Sequence, residues 1–133
     1  MDEHPNATLL RNDLEAFARG DMDAVMAPYA EDVIWRVGGQ NALSGVHRGR
    51  QALLEWFGKV FALGGGEAFE IRADDVMAED RYGMMFLSVK ARRGDEVYEG
   101  TVPNAFRFED GKIVESWFIP DDQTRWDAFW SPR

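Results

Sequence analysis

The sequence predicts an α+β fold: a cone in which N-terminal helices pack on a strongly curved, mostly antiparallel sheet that encloses a pocket. Apolar residues recur three or four positions apart over residues 7–19 and 50–63, as in amphipathic helices. From residue 69 onward the pattern alternates with period two, and short turns containing Gly or Asp separate the segments. Helices that precede a meander of strands are typical of α+β domains.

The helical segments have recognisable ends. The first runs over residues 7–19 and stops at Gly20. Asp21 can cap a short second helix that Pro28 ends or kinks and that carries Met22, Val25, Met26 and Tyr29. The third covers residues 50–63 and the last covers 122–130, where Asp122 is the expected cap. His4 precedes the first helix in a terminus that we expect to fray.

The strands are predicted at 33–37, 69–77, 81–91, 97–108 and 112–120, and residues 41–48 are predicted as a loop. The last two strands form a hairpin around Gly111. A two-residue turn would set Phe106 opposite Glu115, whereas a three-residue loop at 109–111 sets it opposite Val114. The second register pairs apolar with apolar, so we expect it. The inner face is then Asn104, Phe106, Phe108, Val114, Ser116 and Phe118.

Composition narrows the class of protein. The chain has 133 residues, a net charge of −9, 13% aromatic residues and no cysteine. Its length suits one domain spanning 1–133. The acidic balance argues against nucleic acid as a partner, and no apolar run approaches the roughly 18 residues that cross a membrane. The polar, acidic start is unlike a signal peptide, so we expect a cytoplasmic protein. No motif predicts a metal or another cofactor.

Several segments resemble a known family. They are FARGDMD at 17–23, YAEDVIW at 29–35, SGVHRGR at 44–50 and DGKI at 110–113, continuing through Trp117. Together they resemble the SnoaL-like branch of the nuclear-transport-factor-2-like superfamily. The resemblance covers about residues 7–130 and implies the conical fold. It does not fix an activity, because such proteins include isomerases, polyketide cyclases, dehydratases, epoxide hydrolases and proteins without chemistry.

Overlay on the ketosteroid isomerases of this superfamily tests one activity. The resemblance places their general base at Val37, their oxyanion-binding Tyr at Asp13 and their neutral carboxylic acid at Asn104. Val37 cannot take a proton, so steroid isomerisation by that set of residues is rejected. The amide of Asn104 could still donate to a substrate carbonyl. The Asp–Arg–Asp set of the epoxide hydrolases is also absent, since Phe118 and Phe106 occupy its expected surroundings.

Three further residues are candidates for acid–base work, each with a structural alternative. His47 lies in the 44–49 loop and either exchanges protons near the cone's mouth or faces water. Asp121 follows the last strand and is either a pocket carboxylate or part of the cap of the last helix. Asp13 shares a helix face with Leu10 and Phe17 and either faces the pocket or faces solvent.

Two hypotheses about function follow. The first is proton-transfer chemistry (isomerase, cyclase or dehydratase) on a small, largely apolar carbonyl compound, without metal. The second is a binding or dimerisation domain without catalysis. In both, the expected ligand-contacting residues are Phe17, Trp35, Val37, Phe57, Phe106 and Phe118. The hairpin's outer face carries Trp117, Ile119, Arg107 and Glu115, which predicts a homodimer through the sheet.

Overall fold

The computed structural model describes residues 3–64 and 69–131. The helices are α1 (Pro5–Ala18), α2 (Met22–Met26), α3 (Arg50–Gly64) and α4 (Gln123–Phe129). The strands are β1 (Tyr29–Val37), β2 (Gly45–Arg48), β3 (Phe69–Ala78), β4 (Tyr82–Arg93), β5 (Glu96–Glu109) and β6 (Lys112–Phe118).

The six strands form one curved, open sheet in the order β2-β1-β6-β5-β4-β3. All neighbours are antiparallel except β1 and β6, which run parallel. Helix α1 packs against β3, and α3 packs against β1, β2 and β4. The predicted α+β class and the curved, mostly antiparallel sheet are therefore confirmed. The parallel pair was not predicted. It joins β1 to β6, the last strand of the antiparallel meander.

The helix starts are set by side chains that accept hydrogen bonds from free backbone N–H groups. Asp21 caps α2 by accepting from the amide of Ala24 (3.2 Å), as predicted. The frayed terminus predicted around His4 is wrong. Its Nδ1 accepts from the amide of Asn6 (3.0 Å) at the start of α1, and its Nε2 lies 2.9 Å from Asp80 on the β3–β4 turn.

The predicted loop at 41–48 contains a strand that the sequence pattern missed. Residues Gly45–Arg48 form β2, which pairs antiparallel with β1 so that His47 lies opposite Trp35. Strand β2 has only four residues and lies at the sheet edge with three of them exposed. An exposed edge strand carries no buried alternating stripe, so period-two analysis cannot detect it.

The β5–β6 hairpin follows neither predicted register. Its turn has two residues, Asp110 and Gly111, both with positive φ (50° and 75°), as in a type I′ turn. A β-bulge at Val114 then shifts the pairing, so that Phe106 lies opposite Ser116 and Asn104 opposite Phe118. The bulge turns Ile113 inward and leaves Val114 only half-buried, which corrects the predicted inner face. The other five predicted inner residues are buried.

Gly83 on β4 lies where α1 meets the sheet. A Cβ there would lie 2.9 Å from the Phe108 ring and 3.1 Å from Leu10. Gly83→Ala should therefore lower the free energy of unfolding by about 1–3 kcal/mol through overpacking. Gly58→Ala is the matched control, since no atom lies within 4 Å of its Cβ position in α3. We expect it to raise that free energy by about 0.5–1 kcal/mol. Urea unfolding of both variants checks this, and equal effects would contradict the packing.

Candidate functional site

A cavity lies between the concave face of the sheet and helices α1, α2 and α3. Its volume is about 40 Å³. It is therefore a narrow site, and a ligand much larger than a few water molecules needs side chains to move. Eight of the fifteen lining residues are aromatic: Phe17, Tyr29, Trp35, Trp56, Phe57, Phe69, Phe106 and Phe118.

The lining residues reach the cavity from elements far apart in sequence. Phe17 projects from the last turn of α1 and lies 5.8 Å, centroid to centroid, from Phe57 of α3. Trp35 of β1 lies 6.0 Å from the ring of Phe57 and 6.0 Å from that of Phe118 on the neighbouring strand β6. Phe106 follows Asn104 by two residues on β5, so both face the same side. Contacts between rings at these distances hold the cavity wall.

Val37 is the one predicted ligand-contacting residue that does not line this cavity. It is buried at the end of β1, opposite Gly45 and Phe118, and borders a surface groove with Gln123 instead. Alternation along β1 places Val37 on the same face as Trp35. Alternation does not say how far along a strand a cavity extends, and this one ends before Val37.

Asp13 projects from α1 into the cavity wall. Its Oδ1 is buried and receives no hydrogen bond within the described residues, while its Oδ2 lies 3.5 Å from the hydroxyl of Tyr29, which donates to it. Burial raises the pKa of Asp13 to about 8, and the bond from Tyr29 only partly offsets this. The pKa of the Tyr29 hydroxyl is raised as well, first by burial and then by the Asp13 carboxylate. Asp13 is half-buried: it lines the cavity, as one of the two alternatives from the sequence predicted, and it also borders a surface groove with Arg19 and Lys112.

Asn104 lines the cavity from β5, and its amide nitrogen is already used. Nδ2 donates to Oγ of Ser116 (2.8 Å) and to the backbone oxygen of Trp117 (3.0 Å). Oγ of Ser116 in turn donates to the backbone oxygen of Ala105 (3.0 Å). Both N–H groups of Asn104 therefore stabilise the hairpin, which corrects the expectation that they donate to a substrate carbonyl. The side-chain oxygen remains.

His47 and Asp121 lie away from the cavity. Nε2 of His47 lies 3.2 Å from the backbone oxygen of Leu43 at the sheet edge. Asp121 is exposed after β6, and its backbone N–H donates to Thr101 (3.0 Å). Asp122 caps α4 by accepting from the amide of Arg125 (3.1 Å), as predicted. The structure therefore brings together Asp13 and Asn104 and separates His47 and Asp121 from them.

Tyr29 is the polar lining residue that sequence reasoning missed. The helical pattern of 22–29 placed it at the end of α2, whereas it is the first residue of β1. The register of β1 shifts between Tyr29 and Ile34, so alternation counted back from Trp35 does not reach it. The available signal was an aromatic residue directly after Pro28, since Pro ends helices.

Other kinds of site are not found in the described part of the chain. Within residues 3–64 and 69–131, no group of three or more His, Asp or Glu side chains is placed to hold a metal ion. None of the helices in those ranges has the length and hydropathy needed to cross a membrane. The candidate site is the aromatic cavity, whose lining includes Asp13, Tyr29 and Asn104.

Comparison with known proteins assigns the family. The model of the SnoaL-like domain matches residues 10–116, and the chain belongs to this family. An uncharacterized protein of Mycobacterium tuberculosis is 26% identical over 132 residues, covering 98% of this chain and all of the relative. A Xanthomonas campestris protein of unknown function with a cystatin-like fold is 31% identical, with a TM-score of 0.88 over 96% of this chain and 98% of its own.

Two further solved structures share the fold. Bal32a, from a soil-derived mobile gene cassette, has a TM-score of 0.89 at 27% identity and covers 95% of this chain and 96% of its own. IdmH, described as a putative polyketide cyclase from Streptomyces antibioticus, has a TM-score of 0.71 at 18% identity over 89% and 93% of the chains. At that identity IdmH shows the fold alone.

The raised pKa of Asp13 makes stability depend on pH. Between the unfolded pKa near 4 and the folded pKa of about 8, the folded chain holds a proton that the unfolded chain has lost. Below pH 4, Asp13 makes its full contribution to the free energy of unfolding. That free energy falls by about 1.4 kcal/mol per pH unit as the pH rises toward 8. Asp13→Asn removes the dependence, so the variant should gain on wild type by that amount per unit from pH 5 to 7.5.

Urea unfolding at four pH values measures the difference between the two proteins. Asp32→Asn, at an exposed position of β1, is the control for losing one carboxylate. Parallel curves for Asp13→Asn and wild type would show that Asp13 is ionised in the folded protein.

Proposed function

We propose that the chain binds a small, largely apolar molecule in the aromatic cavity and that Asp13, together with Tyr29, serves there as the acid–base group. The observation that carries the proposal is a carboxyl group buried in the cavity wall, with a pKa of about 8. Asp side chains are rarely buried without a partner. A pKa shifted toward neutrality in a cavity is a feature of acid–base sites.

The lining supports an apolar ligand. Thirteen of the fifteen lining residues are aromatic or aliphatic, and none is Lys, Arg or His. An anion would therefore lose its hydration without gaining a counter-charge. Phe17, Trp35, Phe57, Phe106 and Phe118 are the proposed ligand-contacting residues, because flat rings stack favourably on such walls.

A carboxylate with a pKa of about 8 has a useful basicity at neutral pH. Cyclases, isomerases and dehydratases all move protons to or from carbon, and the name of IdmH describes a putative enzyme of this group. We therefore propose Asp13 as the base, with Tyr29 as the neighbouring hydrogen-bond donor that stabilises its ionised form. Val37, where the isomerases of the superfamily have their base, favours the alternative of binding without catalysis.

Exchange of protons next to a carbonyl separates the two functions. With cyclohexanone in D₂O, wild type should exchange the α protons faster than buffer, at a rate that rises with pH through about 8 as Asp13 ionises. Asp13→Asn should lower the rate at least about 100-fold, because the base is lost. Proton NMR measures the exchange.

Asp32→Asn, on the exposed side of β1, is the matched control and should exchange at the wild-type rate. Exchange no faster than buffer, in a protein that still binds small aromatic molecules, would favour the non-catalytic alternative.

We also propose that the chain forms a homodimer through the outer face of the sheet. Ile119 is 49% exposed there and Phe86 36%, with Pro103 of β5 between them, and Trp117 on β6 is half-buried. Glu115 pairs with Arg36 (2.6 Å) and Arg107 (3.2 Å), and Arg107 also pairs with Glu109 (2.8 Å), so two positive and two negative charges balance on this face. An apolar face whose charges are already paired is suited to burial against a second copy.

Ile119→Glu should raise the dimer dissociation constant at least tenfold, since a carboxylate would be buried without a partner. Leu54→Glu is the control: Leu54 is 40% exposed, but lies on α3, on the other side of the sheet. Light scattering across a concentration series measures the mass. A wild-type monomer at micromolar concentration would contradict the dimer.

A further inference from the structure

The orientation of the Asn104 amide decides what the inner wall of the cavity offers a ligand. The backbone oxygen of Trp117 can only accept a hydrogen bond, and it lies 3.0 Å from the Asn104 nitrogen. Oγ of Ser116 gives its own proton to Ala105, so toward Asn104 it also accepts. Turning the amide over would place its oxygen against two acceptors. The nitrogen therefore faces the hairpin, and the oxygen is left for the cavity.

This oxygen has no donor in the protein as described. Asn104 is 3% exposed and lines the cavity, yet no N–H or O–H of residues 3–64 and 69–131 reaches its Oδ1. Polar atoms that no protein group pairs are normally bonded to water or to a ligand. The unpaired oxygen is therefore a position at which the cavity can accept a hydrogen bond from a ligand.

We infer that the cavity takes an uncharged molecule that carries a hydroxyl group, and that this hydroxyl donates to Oδ1 of Asn104. The inference rests on the proposed function and specifies the ligand's chemistry. It reverses the polarity expected from the sequence, where Asn104 was to donate to a carbonyl. A ligand with a carbonyl alone would set two acceptors against each other at this wall.

The carboxyl group of Asp13 also favours an uncharged ligand. Asp13 is the only carboxyl group among the lining residues, and near pH 7 its raised pKa keeps it mainly protonated. A protonated carboxyl donates one hydrogen bond and carries no charge. The cavity then offers an acceptor at Asn104 and a donor at Asp13, which suits a molecule that carries both a hydroxyl group and an acceptor.

Four probes of nearly equal size test the inference on the wild-type protein at pH 6.5. Benzyl alcohol carries the hydroxyl, ethylbenzene replaces it with a methyl group, benzaldehyde offers only an acceptor, and benzylammonium is charged. Dissociation constants come from titrations followed by protein NMR. Benzyl alcohol should bind about two- to tenfold more tightly than ethylbenzene, as one net hydrogen bond predicts, and more tightly than benzaldehyde, which can accept from Asp13 but cannot donate to Asn104. Tighter binding of benzaldehyde or of benzylammonium would overturn the inference.

The double variant Asn104→Leu/Ser116→Ala assigns the effect to Asn104. It replaces both polar partners with apolar groups, which avoids stranding Ser116 in the core. Ser116→Ala alone keeps the Asn104 oxygen and is the matched control. The preference for benzyl alcohol over ethylbenzene should vanish in the double variant and persist in Ser116→Ala.

The outcomes separate the two levels of the proposal. Binding of all four probes with equal affinity, or a preference that survives loss of Asn104, would overturn the hydroxyl assignment and leave the apolar site standing. Absence of binding by every probe, ethylbenzene included, would overturn the proposed function itself.

Discussion

The β5–β6 hairpin connects the antiparallel part of the sheet to β1, and its register is set by the bulge at Val114. The bulge lets Ile113 and Ser116, three residues apart, both face inward. Asn104 fastens this arrangement, since its amide donates across to Ser116 and to the backbone of β6. Without the extra residue, β6 would present its other face beyond the turn. The cavity wall and the seam with β1 therefore depend on one local irregularity.

The cavity combines an apolar interior with a carboxyl group whose ionisation costs free energy. Burial in the wall of this cavity raises the pKa of Asp13 to about 8. Tyr29 is close enough to lower that cost in part. Such a group lowers stability toward high pH and at the same time supplies a proton acceptor of useful strength near neutrality. The same burial accounts for both effects.

Membership in the SnoaL-like family fixes the architecture and leaves the chemistry to the side chains. Where the isomerases have their base, this chain has Val37, which lies outside the cavity. The cavity lining carries a carboxyl group at Asp13 and an amide at Asn104. The carboxyl group can donate or exchange a proton, and the amide oxygen can accept a hydrogen bond. This polarity differs from a pair of donors directed at one carbonyl, and it directs the search for ligands toward hydroxylated molecules.

The sequence by itself determined the α+β class, the helix caps at Asp21 and Asp122, and the shared inward face of Asn104 and Phe106. These follow from periodicity and capping, which act over a few neighbouring residues. Only the tertiary structure decided that Tyr29 meets Asp13, that Val37 falls beyond the cavity and that the Asn104 nitrogen is used by the hairpin. Such contacts depend on strand register, bulges and the distance between elements far apart in the chain. A local pattern does not carry that information, because one added residue in a strand changes every partner after it.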